Sequence, residues 1–469
     1  MSHIHSASLR AIVLTPCEYA VDPRHSYWTQ LLNDNGYDVL NLEVLDSARH
    51  WVNRRELFVT ENMVSAFAAT EIKPNQLPDF LRRLTEKMDT STGAFLASRV
   101  LRYLNAVDHD ALRELDVDLV IANDLVGVVL AQFLWGEKSI DVVYDAQEIF
   151  TDLYDLLDGE SLSVLERNLW IDIETYLCQY SRGVVTVSPG IADLYRRRHQ
   201  IDTTVIPNFV PKIRHIDPVE KSGPVKFVFV GRAEPYRGLE QLVQEWDYSV
   251  HVATLELIIP DGPYKSRLIN IANSRKRQLG GPKFREPVKP WAIVETLSNY
   301  DVGVLPYNYP YPYSEASPNK FGEYIAAGLA ILSSNQSFVS EVVTNKSLGK
   351  VFSWQEQGSF DTAARALFSR TTLQDCVDAV VEARGEELNF DTGFRSLLGV
   401  TGDQKAIALP NAIWLDALNP SVVEKGRLIP SLLRYCRRAL QRRAIRHLRQ
   451  LGPIINIFGG TRIGQYLAK

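Results

Sequence analysis

Glu315 and Glu323 stand eight positions apart around Ser317-Pro318-Asn319-Lys320-Phe321-Gly322, between the apolar run Val302 to Leu305 and a helix-forming stretch that continues to Gly328. A helix opening here offers unbonded backbone N–H groups and the positive end of its dipole, which favour a phosphate ester by roughly 0.3–2 kcal/mol. Pro318 fits the first turn, with Asn319 and Lys320 after it. Both carboxylates can meet one ligand only if Glu315 lies on the loop. The alternative reading of the same residues is an ordinary amphipathic helix after a buried strand.

A second group lies upstream. The run Val225 to Val230 ends in Gly231-Arg232, and Arg237-Gly238 opens the next helical segment. Glycine lets the backbone approach a ligand, and two guanidinium groups at the carboxyl end of a strand can clamp a diphosphate with charge-assisted bonds. Two surface arginines in a loop would leave the same trace.

The spacing Glu315-x7-Glu323 resembles the signature of retaining glycosyltransferases of the GT-B fold, and Ser317 to Ser334 looks like the version in glycosyltransferase family 4, the group 1 type. The resemblance covers roughly residues 8 to 400. It implies that Glu323 accepts from ribose hydroxyls, that Glu315 accepts from hydroxyls of the donor sugar, and that main-chain N–H groups of Asn319, Lys320 and Phe321 hold the phosphates. It implies that Gly231, Arg232 and Arg237 hold the diphosphate, where family members usually show lysine at the second basic position, and that the stretch from Arg285 to Val288 meets the base. On the acceptor side, Asp22, Arg24 and His25 loosely match a D-x-R loop, with helix capping by Asp22 as the alternative. The turn Asp145-Ala-Gln147-Glu148 is similar to the family's D-x-H-E, with Gln147 where histidine is usual. Glutamine donates and accepts hydrogen bonds but does not titrate, which argues against general-base chemistry there. Ser188 looks like the cap of the helix that Pro189 opens.

Transfer with retention is what the resemblance implies, from a nucleotide-sugar to a hydroxyl of a carbohydrate or lipid-linked acceptor, as in bacterial surface polysaccharide assembly. It needs no metal and no cofactor, because Arg232, Arg237 and the helix start stabilise the departing phosphate. No protein nucleophile is required; covalent catalysis by Glu315 is the alternative. Two rivals stand beside this reading: a nucleotide-binding GT-B scaffold without activity, which Gln147 leaves open, and a hydrolysing nucleotide-sugar epimerase, which would need a histidine in the cleft and which Gln147 weakens.

The elements that must position these residues follow an α/β rhythm. Leu9–Thr15, a helix over about Tyr27–Asn35, Tyr37–Val44, then 119–124, 141–148, 183–189 and 201–210 alternate short apolar strands with helical patterns, while 53–110 reads as mostly helical. Residues 211–224 carry prolines and no periodicity, a linker. The alternation restarts at 225. These patterns predict two Rossmann-like domains facing across a cleft, 1–210 on the acceptor side and 225–400 on the donor side, with an extension at 401–469. From Lys425 to Arg449 there are nine Lys or Arg residues and no acid, in a basic amphipathic pattern over 425–451 that suits an anionic membrane surface or the acidic first domain.

Composition sets the outer limits. With 469 residues the chain exceeds one core, and 45% hydrophobic with 23% charged residues is ordinary for a globular protein. A formal net charge of −5 argues against general nucleic-acid binding. Cys17, Cys178, Cys376 and Cys436 lack metal-like spacing and read as reduced and structural, in a cytoplasmic protein that can sit peripherally on the inner face of the membrane. The start of the chain has only a four-residue apolar run, too short for a signal peptide or membrane span. His3 and His5 read as a flexible tip. A metal-binding D-x-D would end a strand; of the pairs Asp108, Asp110 and Asp116, Asp118, the second precedes the strand at 119–124 instead. Ten carboxylates against Arg167 between Asp141 and Glu174 read as a solvated acidic face.

Overall fold

The computed structural model describes residues 9–15, 23–45, 50–54, 65–66, 112–135, 140–152, 163–219, 221–274 and 279–400. The first lobe contains β1 (Arg10–Thr15), α1 (Arg24–Asp34), β2 (Asp38–Leu45), β3 (His50–Arg54), β4 (Ser65–Ala66), β5 (Leu119–Asn123), α2 (Asp124–Trp135), β6 (Asp141–Ala146), α3 (Val164–Tyr180), β7 (Gly183–Thr186), α4 (Pro189–His199) and β8 (Thr204–Val205). The second contains β9 (Val225–Val230), α5 (Leu239–Glu245), β10 (Ala253–Ile258), α6 (Pro263–Ser274), β11 (Lys283–Arg285), α7 (Ile293–Leu297), β12 (Val302–Leu305), α8 (Asn319–Ala326), β13 (Ala330–Ser334), α9 (Ser337–Asn345), β14 (Gly349–Phe352), α10 (Ser359–Ala366) and α11 (Arg370–Glu386). The last described helix is α12 (Phe390–Val400).

Each lobe is built on one sheet. The first runs β4-β3-β2-β1-β5-β6-β7-β8 and the second β11-β10-β9-β12-β13-β14. The second is parallel throughout, and the first is parallel from β2 to β8 with β3 and β4 antiparallel at one edge. Strands covered by helices on both faces read as continuous apolar runs, which is why β1, β5 and β13 are buried along nearly their whole length. The strand order reverses between β1 and β5 in one sheet and between β9 and β12 in the other. Ligand crevices in such sheets open at the carboxyl ends of the strands at these reversals.

Several expectations need correction. Residues 50–54, overlapping the stretch read as helical, and 65–66, within it, form two antiparallel strands at one end of the sheet, and the rest of 53–110 lies outside the described residues. Only Thr204–Val205 of the expected strand 201–210 pairs with a neighbour. The acidic stretch is not simply a solvated face: Asp145, Asp152, Glu166 and Glu174 are buried. Glu174 accepts from the hydroxyls of Tyr144 at 2.9 Å and Tyr195 at 2.5 Å, and Asp152 pairs with Arg198 at 2.9 Å. Residues 163–172 belong to a separate compact unit, in which Ser163 and Glu166 exchange hydrogen bonds between side chains and backbone N–H groups, a capping box that starts α3.

The donor-side boundary also moves. Residues 390–400, expected within the second lobe, return to the first. Phe390, Phe394 and Leu397 of α12 are buried with Tyr27, Trp28, Ile206 and Val210, and the Phe390 ring meets Trp28 edge-on at 5.1 Å. Burying these three side chains contributes roughly 1.5–3 kcal/mol each, which favours docking of α12 on the first lobe. The outgoing and returning passages are tied together: Arg384 donates to the carbonyl oxygens of Ile216 at 2.8 Å and Ala326 at 2.7 Å and to Asp217 at 2.8 Å, and the Lys212 N–H donates to Asp391 at 2.9 Å. The 425–451 stretch, Asp22, Cys17, Cys436, Asp108 and Asp110 lie outside the described residues. Cys178 and Cys376 are free and buried. Among the described residues no helix is long and apolar enough to cross a membrane, and no cluster of metal-ligating side chains occurs.

Ser188 caps α4 as expected, its hydroxyl accepting from the Ile191 N–H at 3.2 Å with Pro189 in the first turn. Ser188→Ala is expected to lower stability by about 1 kcal/mol, read from the urea denaturation midpoint.

Candidate active site

The loop after β9 is held close to the loop after β12. Gly238 has φ +66°, and a Cβ there would stand 1.7 Å from the Pro306 carbonyl oxygen, so only glycine lets the two segments meet. The approach folds Pro235–Arg237 into a single 3₁₀ turn and brings Arg237 over the Tyr307 ring, 5.6 Å from its centroid. Arg237 also donates to Glu234 at 3.0 Å. Burial works against its charge, but Tyr307, Tyr309 and Glu234 outweigh burial and hold its pKa above the ordinary arginine value. Arg232 reaches the same carboxylate at 3.9 Å with its side chain 65% exposed. The two arginines therefore share Glu234 at the carboxyl end of β9, Arg237 inside the site and Arg232 at its rim.

Helix α8 enters from the other side of the reversal. Pro318 is extended and immediately precedes the helix, one position earlier than the first turn expected for it. Ser317 is fixed by Asn208, whose N–H donates to the serine hydroxyl at 3.2 Å and whose side-chain amide donates to its carbonyl at 2.7 Å. The backbone groups expected to hold phosphate are not equivalent. The Phe321 N–H donates to the Pro318 carbonyl at 2.9 Å, and the ring packs between Phe209 and Phe338, so Phe321 anchors the helix rather than offering a donor. Lys320 Nζ donates to both Glu323 oxygens, at 3.0 and 2.8 Å, with Glu323 buried.

Tyr307 connects the halves of the site. Burial raises its pKa, Arg237 lowers it and Glu323 raises it, so both charged groups act on one hydroxyl. The Tyr309 ring lies tilted against Tyr307 at 5.1 Å, and burial raises its pKa, with Arg237 opposing and Glu148 of the first lobe among the groups that add to the rise. Glu148 is exposed and Gln147 half-buried just beyond β6, on the crevice side. Glu315 lies in the 3₁₀ turn Tyr313–Glu315, on the loop before α8, and its carboxylate lies against Gly190 of α4. The structure thus gathers Gly231, Arg232, Arg237, Lys320, Glu323 and Glu315 around the loops that follow β9 and β12.

Other sequence candidates go elsewhere. Arg24 is fully buried: it pairs with Asp145 at 2.7 and 2.8 Å, donates to the Ile206 carbonyl at 2.8 Å and Asn208 Oδ1 at 2.9 Å, and lies over the Phe390 ring. Asp145 also accepts from the Trp28 indole at 2.7 Å. Both are structural groups whose bonding capacity faces inward, so Arg24 is not an acceptor contact. Arg285 makes a two-pronged pair with Glu256 at 2.9 Å on the edge strand, which directs its guanidinium along the sheet. Sequence reasoning missed Glu234 and Gly190, and Gly190 carried no local signal. Tyr307 and Tyr309 lie in the aromatic-proline run Pro306–Tyr313, whose sequence fits either a flank for the sugar or a stiffened loop.

Comparison with known proteins bears on this geometry. Residues 212–373 match the family described as Glycosyl transferases group 1. The chain is similar to a sucrose-phosphate synthase from Thermosynechococcus elongatus at 14% identity and TM-score 0.57, over 84% of this chain and 100% of that one. It is similar to a glycosyltransferase from Rickettsia africae at 11% identity and TM-score 0.53, over 84% and 98% of the two chains. An E. coli trehalose-6-phosphate structure bound with UDP-2-fluoro glucose aligns at 12% identity and TM-score 0.51, over 84% and 99%. No curated protein sequence matches. Residues 212–373 thus carry a match to the glycosyl transferases group 1 family within a chain of GT-B fold, and that match supports a glycosyltransferase.

Proposed function

We propose that the protein transfers a sugar from a nucleoside diphosphate-sugar to a hydroxyl of a carbohydrate or lipid-linked acceptor, with retention of configuration. The observation that carries this is the close approach of the loops after β9 and β12, where Gly238 meets the Pro306 carbonyl and Arg237 lies over the Tyr307 ring at the reversal of strand order. A diphosphate set there meets Arg237, Arg232 and the start of α8, while Glu323 accepts from the ribose. The leaving diphosphate gains negative charge as the glycosidic bond breaks, so fixed positive groups lower the barrier more than a strong acid would. Arg237 is preorganised for this because Glu234 and Tyr307 already hold it.

As the bond lengthens the sugar becomes oxocarbenium-like. Glu315 accepts from sugar hydroxyls, and the departing phosphate oxygen takes the acceptor proton on the same face, so no protein nucleophile is needed. The two arginines supply positive charge at the leaving group, which supports a reaction without a metal. Gln147 and Glu148 stand on the acceptor side. The basic stretch 425–451 supports an acceptor at the inner face of a membrane, in surface polysaccharide or lipid-linked oligosaccharide assembly.

A thermal-shift panel of UDP, GDP, ADP and TDP tests binding, followed by turnover of the matching nucleotide-sugars with Glu323→Ala as control. Product anomer by NMR tests retention. Binding without turnover of any donor would favour an inactive scaffold, and stabilisation by none would remove the donor site. Arg232→Ala is expected to weaken nucleoside diphosphate binding by about 1 kcal/mol, roughly fivefold by calorimetry, because an exposed guanidinium is screened by water.

A further inference from the structure

The loop 308–315 of the second lobe lies along α4 of the first. A Cβ built on Gly190 would stand 2.2 Å from Glu315 Oε2 and 2.7 Å from its Cδ, so the carboxylate occupies the space that any other residue's side chain would fill. Two turns further on, Arg197 Nη2 donates to the Tyr311 hydroxyl at 3.1 Å. Gly190 and Arg197 are seven residues apart and share a helix face. The helix cannot easily yield. Tyr195 on α4 is bonded to the buried Glu174 of α3, which also accepts from Tyr144 of β6, and His199 at the end of α4 lies 3.4 Å from Glu174.

We propose that Gly190 is a positioning residue for the transfer reaction: by lacking a side chain it admits the Glu315 carboxylate, so the first lobe sets the stance of a group carried by the second. Glu315 is then aligned on the donor sugar only while α4 lies against the loop, and bond breaking is tied to lobe contact. The role assigned to Glu315 rests on the transferase reading above; the contact with Gly190 does not.

The test is a double-mutant cycle in the full-length chain with Gly190→Ala, Glu315→Ala and the pair. Melting midpoints report the contact. Alanine is the better helix former, so Gly190→Ala should raise the midpoint once Glu315 has been removed and lower it while Glu315 is present. The same direction of change in both backgrounds would overturn the contact. Kinetics report the role. Gly190→Ala should lower kcat about tenfold, as expected for a misplaced group, with KM and the affinity for the nucleoside diphosphate selected by the panel unchanged. It should add no further loss in the Glu315→Ala background. An unchanged kcat, or equal losses in both backgrounds, would overturn the positioning role. A wild-type protein that turns over no donor would overturn the transferase reading and the positioning role together, while the melting cycle would still show whether Gly190 and Glu315 meet.

Discussion

Arg237→Ala is expected to weaken nucleoside diphosphate binding by about 3 kcal/mol, more than a hundredfold, and to reduce turnover at least as much. Arg237 is the inner of the two arginines, its side chain only 20% exposed, so water screens it far less than Arg232. Truncating one side of a buried charge-assisted contact typically costs 2–5 kcal/mol. The loss has a second source, because Glu234 would keep its charge near Tyr307 and Tyr309 without the guanidinium that balances it. Arg237→Lys should fall between wild type and alanine, since an ammonium retains the charge but not the planar fork. Calorimetry with the selected nucleotide measures both variants. An affinity within threefold of wild type for Arg237→Ala would place the diphosphate elsewhere.

Asp145→Ala is expected to destabilise the protein by about 4 kcal/mol while leaving nucleotide affinity unchanged in the folded fraction. Arg24 and Asp145 have fully buried side chains, and breaking such a pair strands an uncompensated charge at a typical cost of 3–5 kcal/mol. Replacing both partners with apolar residues should cost less than removing Asp145 alone, because no buried charge remains. Urea denaturation gives the stability, and binding at low denaturant gives the affinity. A variant that melted normally but bound or turned over poorly would return the pair to the ligand site.

What could be read in advance follows from which signals are local. The strands β1, β5, β9, β12 and β13 are runs of apolar side chains, and the start of α8 is written in Ser-Pro-Asn over three consecutive residues. Strands β11 and β14 escaped notice because they are short and lie at sheet edges, where residues such as the exposed Lys283 and the half-exposed Lys350 break any apolar pattern. Arg24 misled for a different reason. Beside Asp22 and Pro23 it has the polarity of a ligand group, and only the distant Asp145, Asn208 and Phe390 turn it into a core residue. The pairing of Gly190 with Glu315 depends on two lobes meeting, which no stretch of either one encodes.

The return of α12 to the first lobe has a mechanical consequence. A bilobed protein joined by a single strand can twist, slide and open in any direction. Here two neighbouring passages cross, cross-linked by Arg384 and by the Lys212 and Asp391 contact, and they behave like a pair of pins on one door. Swinging about the line between them remains easy, whereas torsion strains both at once. The outgoing pin also bears directly on the helix that starts at Asn319, since a Cβ on Gly322 would stand 2.1 Å from the Asn208 carbonyl oxygen. Gaping of the crevice should therefore leave the phosphate end almost still and sweep the tyrosine-rich edge through the widest arc.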